Sequence, residues 1–285
     1  MTQSFRCISI VRISLTLRRN IQAFEMPFTY SARSDVGLHR ENNEDAVRVD
    51  AALGLAILAD GMGGYNAGEV ASAMAVDVIA REMGLHLKGG NPPRTVRDLR
   101  RVMDICVGQA NRAIYDAAHS TAAYAGMGTT LVMASLLGDA LLVGHAGDSR
   151  AYRWRGGVLE QITRDHSLLQ EQVDAGLLTP EEAAVSPNRN LVTRALGVED
   201  NVLLEVQTFT VLPGDAYMLC SDGLTDMANH QQIAEVFARF ETSDQRVKRL
   251  IQLANDLGGQ DNTSVAILQT AETPKKSGIV AKLRG

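Results

Sequence analysis

Apolar and polar positions change rhythm several times along this chain, and each change predicts a new element. FTYSARSD (28–35) and DAVRVD (45–50) alternate as half-buried strands do. LGLAILAD (53–60) is a continuous apolar run of strand length that ends on Asp60. Two helical patterns follow. One is rich in Ala and Val over about 66–84, and the other has charges spaced along it over about 94–119, with GNPP between them. TTLVMASLLG, ALLVGHAGDS, AYRWRGG and GVLEQIT then read as short strands, with LLGDA and RGG as hairpin joints. A helical stretch at about 167–184 is broken by SPNRN. LVTRALG, VLLEVQTFTV and AYMLCS read as strands, two helical patterns occupy about 230–257, and TSVAILQT closes the series. Strands, two helices, many strands, helices and a strand do not make the regular alternation of a doubly wound sheet. The order predicts an α+β fold of antiparallel sheets with helices packed outside.

Composition narrows this picture. Of 285 residues, 45% are hydrophobic, enough for a sizeable core, but only 5% are aromatic. Ala, Val, Leu, Ile and Met must therefore fill that core. A net charge of −5 argues against general nucleic-acid binding, which needs a basic face. Cys7, Cys106 and Cys220 lie far apart with no CxxC pair, so neither a disulfide framework nor a zinc site is expected. This usage fits a reducing, cytoplasmic setting, and Cys220, inside the apolar YMLC, reads as a small buried side chain. No apolar run reaches the length of a membrane span. Residues 1–26 stand apart, with Arg6, Arg12, Arg18 and Arg19 against the single acid Glu25. They are either a targeting peptide or an N-terminal extension, in which case Met26 is an alternative start. Residues 27–270 are expected to form one domain, and 271–285 a loose basic tail.

Candidate chemistry lies in the acids. Asp60 (LADGMGG), Asp148 (GHAGDSR), Asp222 (CSDGLTD), Asp261 (GQDNTSV) and the pair Glu44–Asp45 (ENNEDAV) each sit at the end of a strand-like run, beside Gly or a turn. One such Asp alone is an ordinary turn former or helix cap. Several carboxylates converging at a sheet edge would make an all-oxygen site suited to Mg²⁺ or Mn²⁺ rather than zinc. A bound cation would also relieve their mutual repulsion. GMGTT (126–130) lacks the Gly-Lys-Ser/Thr ending of a phosphate loop and reads as a tight lead-in to a strand.

Taken together, SDVGLHRENNEDA (34–46), LADGMGG (58–64), GMGTTLV (126–132), GHAGDSRAY (144–152), TRDHS (163–167), CSDGLTD (220–226) and GQDNTSV (259–265) resemble, in this order, the bacterial metal-dependent protein phosphatases of type 2C, the PPM family. The resemblance spans about Ser34 to Ala266. It implies a four-layer αββα sandwich with a binuclear metal site at one end. By motif, Asp60 would bridge two Mn²⁺ or Mg²⁺ ions, the Gly61 carbonyl would bind one, Asp222 and Asp261 would complete one metal's ligands, and Glu44 would act on the other metal through water. Arg40 would clamp the substrate phosphate, which suits a guanidinium fork. Asp148 would serve a possible third metal. The implied reaction is hydrolysis of phosphoserine or phosphothreonine by a metal-bridging hydroxide, with no covalent phosphoenzyme. The implied substrates are phosphorylated proteins, targets of a Ser/Thr kinase, and the chain is expected to be a monomer that binds neither membrane nor nucleic acid. One departure stands out. Eukaryotic relatives carry DGHGG, and here the position of that His is Met62, which cannot donate a proton. His39, His145 and His166 are the nearby alternatives by sequence, and each also has a plain structural reading. The segment at about 167–195 resembles the family's flap.

Overall fold

The computed structural model describes residues 27–64, 67–179, 182, 186 and 191–271. The expectations for residues 1–26 and for nearly all of the tail fall outside these. The strands are β1 (Phe28–Asp35), β2 (Asp45–Asp50), β3 (Leu55–Met62), β4 (Gly128–Thr129), β5 (Leu131–Leu137), β6 (Ala140–Ala146), β7 (Arg150–Arg155), β8 (Val158–Gln161), β9 (Glu205–Thr210), β10 (Ala216–Cys220) and β11 (Thr263–Thr270). The helices are α1 (Ala67–Lys88), α2 (Val96–Ser120), α3 (Leu168–Asp174), α4 (His230–Arg239) and α5 (Ser243–Asp256), with one further helical turn at Asp222–Thr225.

Two antiparallel sheets form the middle of the molecule. One runs β1-β11-β10-β7-β8, and the other runs β2-β3-β5-β6-β9, with β4 paired to the end of β3. Alternation along the strands divides the apolar side chains into three layers. Leu55, Ile57 and Ala59 face α1 and α2, in a cluster with Met83, Leu99, Met103 and Ile114. Ala56 and Leu58, the intervening residues, meet Tyr217, Leu219, Ala266 and Leu268 between the sheets. Met218, Cys220, Val265 and Ile267 point away, onto Ile233, Phe237, Val247 and Leu250 of α4 and α5. Strands covered on both faces read as continuous apolar runs, as LGLAILAD and AYMLC do. The result is the four-layer αββα sandwich.

Local chemistry fixes the joints. Capping boxes open α2 (Thr95 with Asp98), α4 (Asn229 with Gln232) and α5 (Thr242 with Gln245). The β7–β8 hairpin turns on Gly156 and Gly157, both at positive φ, the conformation that the tightest hairpins require. Two expectations are corrected. LVTRALG is not a strand. It makes single bridges, Val192 to Ser167 and Leu196 to Thr129, because it is shared between two separate elements rather than laid along one. The helix expected over about 167–184 stops at Asp174, where the chain turns through Gly176 at φ +69°. Among the described residues, no helix is long and apolar enough to cross a membrane.

Candidate metal centre

Antiparallel pairing brings the acids together. Asp60 lies near the end of β3, and its register partner is Asp45, the first residue of β2. Asp222 follows β10, whereas Asp261 precedes β11, the strand paired with β10. Glu44 and Asp261 therefore stand before strands, not at the ends of runs as expected. In an antiparallel sheet the start of one strand and the end of its neighbour share an edge, and the bonds of Ser221 to Asp45 and of Glu44 to Asn262 join these edges of the two sheets, so the carboxylates still converge.

Hydrogen bonds hold this edge rigid. The Asp60 carbonyl accepts from the Thr130 N–H (2.9 Å) and the Thr129 hydroxyl (2.8 Å), and the Asp60 N–H donates to Thr130 Oγ1 (3.1 Å). The Gly61 N–H donates to the Glu44 carbonyl (3.1 Å). Ser221 Oγ donates to Asp45 Oδ2 (2.7 Å). Asn262 ties the loop that carries Arg40 and Glu44 to the Asp261 turn. Its Oδ1 accepts from the Glu44 N–H (2.7 Å), and its Nδ2 donates to the carbonyls of Val36 and Asn42 (both 2.9 Å). Arg40 Nη2 donates to Asp261 Oδ2 at 2.7 Å.

The electrostatics of the cluster are strained. Burial, followed by the charges of Asp45, Asp222 and Asp148, pushes the Asp60 carboxyl well above the carboxylate range. Asp45 and Asp222 are raised for the same reasons, burial first and neighbouring acids next. Asp148 is pushed up to about 7 by burial and then by Asp222 and Asp165. Glu44 is raised by burial. Such a cluster is a cost to the bare protein unless a cation compensates it. Asp45 Oδ1 is buried with no hydrogen-bond partner, an acceptor left waiting for a ligand. Gly68 leaves room for the Glu44 carboxylate, where a Cβ would come within 2.5 Å of Glu44 Oε2. These residues fit hard divalent cations held by oxygen alone.

Every site residue expected from sequence thus stands at this one end of the two sheets. Asp45 and Asn262 are the residues whose roles the motifs did not disclose. Asp45 could have been found from its register opposite Asp60, and Asn262 from nothing in the sequence but its place beside Asp261.

His145 and His166 have structural roles. His145 is 1% exposed, and its Nε2 donates to the Arg164 carbonyl at 2.7 Å. It stacks on His166 with the ring centres 4.5 Å apart and the planes within 3°. His166 Nδ1 accepts from the Gly147 N–H at 3.2 Å, so in the neutral ring Nε2 carries the proton and donates to Glu205 Oε2 at 3.2 Å. Burial, followed by His145, lowers the His166 pKa and keeps the ring neutral. Ligand atoms of His145, His166 and Glu205 do lie within 4.8 Å of one another. The His166 tautomer and Arg194 Nη1, 3.0 Å from His166 Nε2, oppose a cation there. His39 is exposed beside Arg40. Cys220 is fully buried, and burial pushes its thiol up to about 12, far from a thiolate nucleophile.

Comparison with known proteins gives a consistent result. Residues 36–257 match the family described as Protein phosphatase 2C. The serine/threonine protein phosphatase PstP of Mycobacterium tuberculosis is 40% identical over 264 residues, covering 92% of this chain and 47% of PstP. The chain thus spans about half the length of that relative. The protein phosphatase PhpP of Streptococcus pneumoniae is 36% identical over 245 residues, covering 85% of this chain and 97% of PhpP. The crystal structure of the PstP catalytic domain in complex with two manganese ions superposes with a TM-score of 0.76 at 38% identity, covering 86% of this chain and 99% of that one.

Proposed function

We propose that this chain, which belongs to the protein phosphatase 2C family, is a metal-dependent protein phosphatase that hydrolyses phosphoserine and phosphothreonine. The observation that carries this reading is the convergence of Asp45 and Asp60 from one sheet and Asp222 and Asp261 from the other at one end of the sandwich, crowding one another, with Asp45 Oδ1 unpartnered. Residues 27–270 form the catalytic domain.

In this reading, Asp60, Asp222, Asp261, Glu44 and the Gly61 carbonyl hold two Mn²⁺ or Mg²⁺ ions, and Asp148 serves a third. When bound, these ions supply Lewis acidity that activates water and neutralises phosphate charge. The chain contributes rigidity and selection. Thr129 and Thr130 fix the Asp60 backbone, and Asn262 fixes Glu44 relative to Asp261. Arg40 is half exposed at the rim, and the Asp261 hydrogen bond raises its pKa further. Its fork is therefore always charged and can meet phosphate oxygens in pairs. Met62 offers no proton, and His145 and His166 have theirs committed elsewhere. The leaving-group proton therefore comes from solvent or from the exposed His39. The substrates are phosphorylated proteins, the products of a Ser/Thr kinase.

The test is hydrolysis of a phosphothreonine peptide with Mn²⁺, with and without chelator. Turnover that depends on Mn²⁺ is expected, and absence of turnover at any metal concentration would overturn the reading.

A further inference from the structure

Beside the carboxylates lies a cleft of about 620 Å³ that the proposed chemistry does not use. Its lining is mainly apolar, with Met62, Val198, Val202 and Leu203 contributing, and Arg194 and Glu199 add one charge of each sign. Two lining residues are unusually open for their type, with Leu203 70% and Val198 56% exposed. Exposed apolar side chains gathered around a concavity, rather than scattered singly, mark a binding surface.

The cleft is continuous with the metal centre. Met62 is two residues beyond Asp60, at the end of the same strand. The wall formed by residues 192–198 is anchored to that strand's neighbour, since Thr129 and Leu196 exchange N–H···O bonds of 3.0 and 2.8 Å and the Thr129 hydroxyl donates to the Asp60 carbonyl. Gly128 keeps the junction tight, because a Cβ there would meet Val198 at 2.9 Å and Met62 at 3.2 Å. Arg194 is held from behind, donating to the Leu203 carbonyl at 3.3 Å and packing on His166. Met62 lines the cleft and stands two residues from Asp60 on the same strand, so the cleft is an apolar surface adjoining the place where a phosphorylated side chain would meet Asp60. The opposite charges of Arg194 and Glu199 leave the lining without net sign, which favours an uncharged, apolar guest over an acidic or basic one.

We propose that this cleft is the subsite for an apolar side chain flanking the phosphorylated residue of the substrate, and that Val198 and Leu203 determine this specificity. The inference rests on the phosphatase reading above. One bulky apolar group gained or lost in such a site changes kcat/KM by about tenfold or more.

The experiment compares phosphothreonine peptides that carry Leu or Phe beside the phosphoresidue with otherwise identical peptides carrying Ser or Asp. It uses the wild type and the Leu203→Asp and Val198→Asp variants, with p-nitrophenyl phosphate as a substrate that has no flanking residue. Both side chains are largely exposed, so the variants should fold, and circular dichroism checks that they do. The expected result is a preference of about tenfold for apolar flanks in the wild type. In both variants it should collapse, mainly through KM, with p-nitrophenyl phosphate turnover unchanged. Three outcomes would overturn the proposal: a wild type indifferent to flanks, a preference that survives both substitutions, or equal loss on p-nitrophenyl phosphate. If the wild type hydrolyses nothing, the phosphatase reading fails separately. Fluorescence anisotropy with the same peptides then decides the subsite, and equal affinity for apolar and polar flanks would reject it.

Discussion

Asp45 and Asp60 face each other as register partners across β2 and β3, and Asp45 keeps one carboxylate oxygen buried and unpartnered. Two acids at such a position repel each other in the bare protein, and that repulsion becomes affinity once a divalent cation is present. Asp45→Asn should therefore raise the melting temperature of the chelated protein at neutral pH, since it removes a buried charge while the amide oxygen can still accept from Ser221. The same change should weaken metal binding or metal-dependent turnover by roughly 10–100-fold, the range for groups that support metal ligands. Calorimetry with Mn²⁺ and a thermal melt in chelator read the two effects. A melt that falls in the variant would contradict this account.

The same strain predicts a pH dependence. Asp148 titrates near pH 7 in the fold against 3.8 ordinarily. Below about pH 4 both states hold the proton, and between about 4 and 7 the unfolded chain releases it first, so stability falls as pH rises through that window. Asp45, Asp60 and Asp222 shift in the same direction. The chelated protein should melt lower at pH 7.5 than at pH 5, and Mn²⁺ should raise the melting temperature more at pH 7.5. Equal Mn²⁺ shifts at the two pH values would contradict the cluster's role.

Asp222→Ala should cost about a thousandfold or more in turnover of p-nitrophenyl phosphate, because several kcal/mol of charge stabilisation leave with a core cation. Its circular dichroism should match the wild type. Asp148→Ala should be much milder on this small substrate. Retained activity in Asp222→Ala would mean the metal centre has been misplaced.

Arg40→Lys keeps the charge but loses the fork. It should raise KM for phosphopeptides by about tenfold, a loss that a conservative exchange would not produce at a site needing only charge. Steady-state kinetics with the folded variant measure it.

Thiol alkylation should leave turnover intact. Cys106 and Cys220 are buried and free, and burial pushes each thiol up to about 12. Iodoacetamide at neutral pH, followed by an activity assay and mass spectrometry, checks this. Inactivation that tracks Cys220 modification would point to a covalent mechanism instead.

Much of the architecture was legible in the chain itself. The continuous apolar run LGLAILAD reads as a strand, which the structure forms over Leu55–Met62, and the layers on either side of Leu55–Ala59 explain why the run is unbroken. The two long helices after β3 and the pair before β11 were placed well, because spacing and caps act within a few residues, whereas the helix expected over about 167–184 stops at Asp174. LVTRALG misled because its apolar residues serve single bridges to two different elements, a fact that no local pattern carries.

The sequence by itself determined which acids are available and that each lies beside a strand boundary, since strand length and turn chemistry are short-range properties. Only the tertiary structure decided which of them meet. The pairing of β2 with β3 sets Asp45 opposite Asp60, the pairing of β10 with β11 joins Ala216 to Gln269 and Cys220 to Val265, and the stacking of the two sheets brings Glu44 within reach of Asn262, 218 positions away. The same long-range packing buried Asp45, drew His166 to Gly147 and set Val198 beside Met62. Register and burial depend on contacts between distant segments, so they fix the role of a carboxylate only once the chain has folded.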